Sequence, residues 1–137
     1  MSEHEQVATV RSIYEAFGRG DIPYILELLD ADVEWHVPPT VPFSKGLHRG
    51  PEEVGQFFAG IGEYIADPGV ETEEFLSAGD RVIVLLRFRG RGRESGLPFD
   101  VPEVHVWKLS GGKVVEERSY ADTAAIVQAL GAEAGVA

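Results

Sequence analysis

The sequence contains no cysteine. Disulfides, thiol catalysis and thiolate metal sites are therefore excluded. Cationic residues are scarce: 12 Lys and Arg stand against 23 Asp and Glu, for a formal charge of −11. A nucleic-acid binder needs a positive footprint, and this field repels phosphate, so no nucleic-acid partner is expected. No apolar run approaches the roughly 20 residues that cross a bilayer, so no membrane partner is expected either. Met1-Ser2-Glu3-His4-Glu5 lacks the basic start of a signal peptide, which points to a cytoplasmic protein. Internal repeats, low-complexity segments and linkers are also missing.

What remains is an ordinary globular composition: 137 residues, 44% apolar and 26% charged. One domain spanning 1–137 can bury a real core at this length. The small residues of 131–137 are expected to fray. Val7, Val10, Tyr14 and Phe17 recur at helical spacing and predict an amphipathic helix over 5–17, ended by Gly18-Arg19-Gly20. Asp21 can cap a second helix, 22–29, with Pro23 in its first turn. Val33 to Val37 alternates as a strand stopped by Pro38-Pro39, and 41–49 reads as a loop. Gly50-Pro51 starts a third helix whose apolar face is Val54, Phe57, Phe58 and Ile61. Asp67-Pro68-Gly69 reads as a turn, with strands expected over 70–77 and 81–91. Two further strands meet at Gly111-Gly112, and Asp122-Thr123 carries the signature of an N-cap for a short last helix. Segregated helices and hairpin strands indicate an α+β fold with an antiparallel sheet.

Chemistry concentrates in one strand. His105 alternates in phase with Val101, Glu103 and Trp107, so the four share a face. A histidine there can act as general acid or base, and Glu103 can orient it or shift its pKa. The competing reading is a core histidine bonded to backbone. Tyr14 lies on the core side of the first helix, where its hydroxyl needs a polar partner. Phe57, Phe58, Phe88 and Phe99 read as cavity wall or core. Arg87, Arg89, Arg91 and Arg93 share one strand face and read as a solvated stripe rather than an anion site.

Three stretches together, IYEAFGRGDIPYILELLDADVEWHVP, GPEEVGQFFAG and HVWKLSGGKVVEERSYADTAAIVQALG, resemble the NTF2-like superfamily. The branch is SnoaL-like, related to ketosteroid isomerase and limonene-epoxide hydrolase. The resemblance implies a strongly curved antiparallel sheet wrapped as a cone around N-terminal helices, with a short C-terminal helix. It also implies a small-molecule cavity and a homodimer. It sets His105 near the polar pocket position used by the isomerase acid and by a histidine of SnoaL-type cyclases. The isomerase base aligns with Val37, the cyclase and hydrolase aspartate with Ser119, and the isomerase tyrosine with Ile13. The remaining epoxide-hydrolase site residues align within 82–88, where no matching arginine–aspartate set stands. The carboxylates of those mechanisms are thus missing at their usual places. In this alignment Trp35 forms pocket wall and His36 faces outward or a subunit contact, an assignment that a one-residue slip would reverse.

His36, His48 and His105 lack close metal-ligand spacing, and His48 reads as a solvated loop residue, so no metal is expected. No glycine-rich loop has nucleotide-binding context and no nucleophile elbow is present, so no cofactor is expected. The sequence therefore suggests a protein that binds a small hydrophobic or cyclic, polyketide-like metabolite. If it is an isomerase, cyclase or dehydratase, His105 and Glu103 carry acid/base chemistry. Tyr14, Trp35, Phe57, Phe58, Phe88, Phe99 and Ser119 would then line the site. The alternative is a non-catalytic ligand-binding or dimeric interaction protein. The first reading requires an open cavity with His105 facing another polar group. The second requires a backbone-paired histidine and a filled cavity.

Overall fold

The first helix begins earlier than its apolar periodicity suggests, because Ser2 caps it. In the computed structural model, which describes residues 1–131, the Ser2 hydroxyl accepts from the Glu5 N–H at 3.0 Å. The Glu5 carboxylate accepts from the Ser2 N–H at 2.9 Å, completing a capping box. Helix α1 then runs Glu3–Gly18 and buries Val10, Ile13 and Ala16. Asp21 caps α2 (Ile22–Glu27), which ends two residues sooner than expected because Leu29 already belongs to strand β1 (Leu29–His36). The stretch expected to be a loop contains a short strand, β2 (Leu47–Arg49), and helix α3 (Gly50–Tyr64) follows. The frayed tail expected over 131–137 lies outside the described residues except for Gly131.

Strands β3 (Ile65–Ala78), β4 (Arg81–Gly92), β5 (Pro98–Ser110) and β6 (Lys113–Ala121) make an antiparallel meander. Asp67-Pro68-Gly69 is a bulge inside β3 and not a turn. The register jumps there from Ala66↔Arg91 to Gly69↔Arg89, and Asp67 takes a φ of 53°. The Gly111-Gly112 hairpin is as expected: both residues have positive φ, 58° and 80°, which a two-residue turn of this twist requires. Helix α4 (Thr123–Ala129) is capped by Asp122, whose carboxylate accepts from the Ala125 N–H at 3.1 Å.

The expected cone of strongly curved, purely antiparallel sheet is overturned. The sheet is open and mixed, in the order β2-β1-β6-β5-β4-β3, with β1 parallel to β6. Its two ends, β2 and β3, do not meet, so it is neither closed nor curled into a cone. Alternation along a strand identifies a buried face, but direction and closure depend on pairing between distant segments such as Trp35 and Glu117. The α+β assignment itself stands.

The inner face carries Val82, Val84, Leu86 and Phe88 from β4, Val101, Trp107 and Leu109 from β5, and Val33 and Trp35 from β1, all buried. Helix α1 packs against β3, α3 against β1 and α4 against β5. The outer face bears the arginine stripe, where acids neutralise it: Arg87 pairs with Asp100 at 2.6 Å and Arg89 with Glu71 at 2.7 Å, while Arg91 pairs with Asp67. These pairs are solvent-exposed, so they add little stability. Arg93, expected on the same face, lies past the end of β4 and donates instead to the Gly62 and Ile65 carbonyls.

Candidate functional site

Period-two alternation sends Glu103, His105 and Trp107 of β5 to the inner face, beneath α1. One turn of α1 places Tyr14 over them. The Trp107 Nε1–H donates to the Tyr14 hydroxyl oxygen at 2.9 Å. The Tyr14 hydroxyl lies 2.6 Å from His105 Nδ1. Nε2 of the same ring contacts the Glu103 carboxylate. His105 and Glu103 are only 13% and 12% exposed.

The protonation pattern follows from these partners. Burial pushes the Tyr14 pKa well above its ordinary value; the Trp107 hydrogen bond opposes this, and the nearby Glu117 and Glu103 charges add to it. Tyr14 therefore keeps its proton and donates to Nδ1, which leaves Nε2–H to donate to Glu103. Burial alone would lower the His105 pKa. Attraction to Glu103, the hydrogen bond between them and the charge of Glu117 outweigh it, and the net shift is upward.

Glu117 is a cavity-lining carboxyl absent from the residues expected from sequence. It is 1% exposed and sits on β6 as the cross-strand partner of Trp107. Burial pushes its carboxyl up to about 7, against the pull of His105 and a hydrogen bond from Ser119, while Glu103 reinforces the rise. The Ser119 hydroxyl lies 2.7 Å and 3.0 Å from the two carboxylate oxygens. A signal existed: Glu117 stands two residues before Ser119 and so shares its face. A bulge hides it, because Leu109 pairs with Val114 but Lys108 with Glu116, which moves Glu117 out of phase with the apolar Val114.

These groups line a cavity of about 90 Å³ between the sheet and the helices. Of the site residues expected from sequence, Glu103, His105, Tyr14, Trp35, Phe57, Phe58, Phe88 and Ser119 line it, and Glu117 joins them. Phe99 does not. Its ring packs against Phe88, with centroids 5.2 Å apart, and covers Gly90, its cross-strand partner. Aromatic rings share the wall with aliphatic side chains such as Ile13, Val41 and Ile61, and they pack on one another, Trp35 against Trp107 at 5.4 Å and Phe58 against Trp35 at 5.7 Å.

The other histidines lie elsewhere. His48 is buried rather than solvated: β2 turns it inward, its ring lies 5.1 Å from Phe57, and it contacts the Ser44 hydroxyl at 3.2 Å. Burial lowers its pKa, with Lys45 adding to the effect and Glu53 opposing it. His36 faces the outer side of the sheet, where the parallel pairing of β1 with β6 brings it beside Glu34 and Glu116. The ligating atoms of these three lie within 4.8 Å of one another, the spacing of a cation site. Arginines already serve both carboxylates: Arg49 at 3.2 Å from Glu34, and Arg81 and Arg118 at 3.2 Å and 3.3 Å from Glu116. Among the described residues, no helix is long and apolar enough to cross a membrane.

A family model for the SnoaL-like domain matches residues 10–117. An NTF2-like protein of unknown function from Burkholderia pseudomallei K96243 is 32% identical, with a TM-score of 0.87, over 96% of this chain and 99% of that one. An NTF2-like protein from Burkholderia xenovorans LB400 is 29% identical, with a TM-score of 0.82, over 95% and 98% of the two chains. A proposed SnoaL-like polyketide cyclase from Jannaschia sp. CCS1 is 26% identical, with a TM-score of 0.80, over 94% and 93%. No curated protein matches the sequence.

Proposed function

This chain belongs to the SnoaL-like family of the NTF2-like superfamily, and from that premise we propose that it binds a small, largely apolar, ring-sized metabolite and acts on it by cofactor-independent acid/base chemistry. The observation that carries the reading is the placement of His105 in the cavity wall, held between Tyr14 and Glu103. A histidine that served only the core would bond to backbone. This one is bonded by two side chains that themselves line the cavity. That arrangement, with space beside it, favours acid/base work over passive binding.

The size of the space narrows the ligand. A cavity of about 90 Å³ is comparable to one that holds a single benzene, at about 150 Å³. The proposed ligand is therefore one ring with short substituents rather than a fused polycycle. Both nitrogens of His105 are engaged, so the groups that meet the ligand first are the Tyr14 hydroxyl and the Glu103 carboxylate. In the proposed step, Glu103 accepts a proton from a carbon beside a ligand carbonyl. With His105 protonated, its Nδ1–H donates to the Tyr14 oxygen, which frees the Tyr14 proton to donate to the carbonyl oxygen, where negative charge develops. His105, bonded to both, balances the charge between them. Returning the proton to a different carbon completes an isomerisation; delivering it from Glu103 to a β-hydroxyl, which departs as water while the carbon–carbon double bond forms, completes a dehydration. Each route needs only positioned proton transfer in a water-poor site.

The test is α-proton exchange of cyclohexanone in D2O, followed by NMR. Exchange above the buffer rate, lost in Glu103→Gln and His105→Gln, is expected. No exchange above buffer in the wild-type protein would leave a binding function and overturn the catalytic one.

A further inference from the structure

Glu117 is a buried carboxyl without a cation. Its one hydrogen-bond partner is the Ser119 hydroxyl, which offers a single proton to two oxygens. The nearest candidate counter-charge, His105, already has Nε2 on Glu103 and Nδ1 on Tyr14. Among the described residues that line the cavity, none is Lys or Arg. The groups facing Glu117 are Ser119 on its own strand, His105, Glu103 and Trp107 from β5, Trp35 from β1 and Tyr14 from α1. One imidazolium at most therefore faces two carboxyls. A buried carboxylate left in this state either takes up a proton or requires a positive partner.

The rest of the wall suits such a partner. Trp35, Phe57, Phe58 and Trp107 present ring surfaces to the same cavity. Aromatic faces attract a cation through the ring quadrupole, most strongly where water is excluded.

We propose that this cavity selects a compact ligand bearing a protonated amine, seated with its ammonium group at Glu117 and its apolar body among these rings. The inference rests on the reading of the cavity as the ligand site and adds the charge of the ligand to it. The carboxyl of Glu117, pushed up to about 7, is divided between its two forms at neutral pH. An arriving ammonium favours the carboxylate and expels the proton. A neutral ligand leaves the proton in place, and an anion draws more protons in.

The experiment is titration calorimetry of the full chain at pH 7 with three probes of similar shape: tert-butylammonium, tert-butanol and pivalate. Each is run in phosphate and in HEPES, whose ionisation enthalpies differ, so that proton release is counted. The ammonium is expected to bind about tenfold more tightly than the alcohol, with pivalate weakest. It is expected to release about half a proton. In Glu117→Gln the preference and the release both disappear. Equal binding of ammonium and alcohol, or proton release that persists in Glu117→Gln, overturns the inference and leaves the ligand site standing. Failure of all three probes to bind overturns both. The proton count in the wild-type protein tests the inference even if the variant folds poorly.

Discussion

The Tyr14 hydroxyl lies 2.6 Å from Nδ1 of His105, so a side chain of the first helix sets the tautomer of a histidine 91 residues later. Because Tyr14 also accepts from Trp107, its oxygen joins two neighbouring side chains of β5 to α1. Tyr14→Phe breaks both bonds and leaves a buried indole N–H and a ring nitrogen without partners. Urea unfolding should show a loss of about 1–3 kcal/mol. NMR titration should place the His105 pKa higher than in the wild type, because the neutral ring loses the donor that favours it.

Removing the other partner should move the same pKa the opposite way. In Glu103→Gln the attraction that raises His105 is gone, and burial is opposed only by Glu117. The His105 ring should titrate at lower pH than in the wild-type protein. An unchanged pKa would mean that the Glu103 contact does not govern the ring.

Glu117 makes stability depend on pH in a defined direction. Its carboxyl rises from an ordinary 4.5 to about 7 on folding. The folded state therefore holds the proton more tightly, and the stabilisation is fully present below about 4.5. It is lost as pH climbs through about 7, a change of about 3 kcal/mol for one buried group of this shift. Glu117→Gln should flatten the fall in unfolding free energy over that window, as measured by urea denaturation at a series of pH values.

Gly90 is required chiefly by Ile65, with the ring of Phe99 also close. A Cβ there would stand 2.5 Å from Ile65 Cγ2 and 3.1 Å from Phe99 Cζ. Gly90→Ala should cost about 1–3 kcal/mol by overpacking. Because Phe99 supports Phe88, which lines the cavity, the substitution should also weaken binding of tert-butanol in calorimetry.

Much of the scaffold was readable from local pattern. The helical stripe of Val54, Phe57 and Ile61, the Gly111-Gly112 hairpin and the Asp122 cap each depend on residues close in sequence, and all three are present. The shared face of Glu103, His105 and Trp107 followed from alternation alone. The features that escaped depend on distant partners. The parallel pairing of β1 with β6 made the sheet mixed and open, and it collected Glu34, His36 and Glu116 on the outer side. Bulges at Asp67 and beside Leu109 shifted the phase, turning an expected turn into strand and hiding Glu117. Phe99 was drawn away from the cavity by a glycine on the neighbouring strand, and His48 was buried by a three-residue strand too short to detect.

The measurement that bears most directly on the central claim is the NMR pH titration of the His105 ring, assigned against His105→Gln, with and without cyclohexanone. The account predicts a ring that titrates above the ordinary histidine value and whose resonance moves when the ketone is added. A ring that titrates at the ordinary value, or that ignores the ketone at every pH, would contradict it.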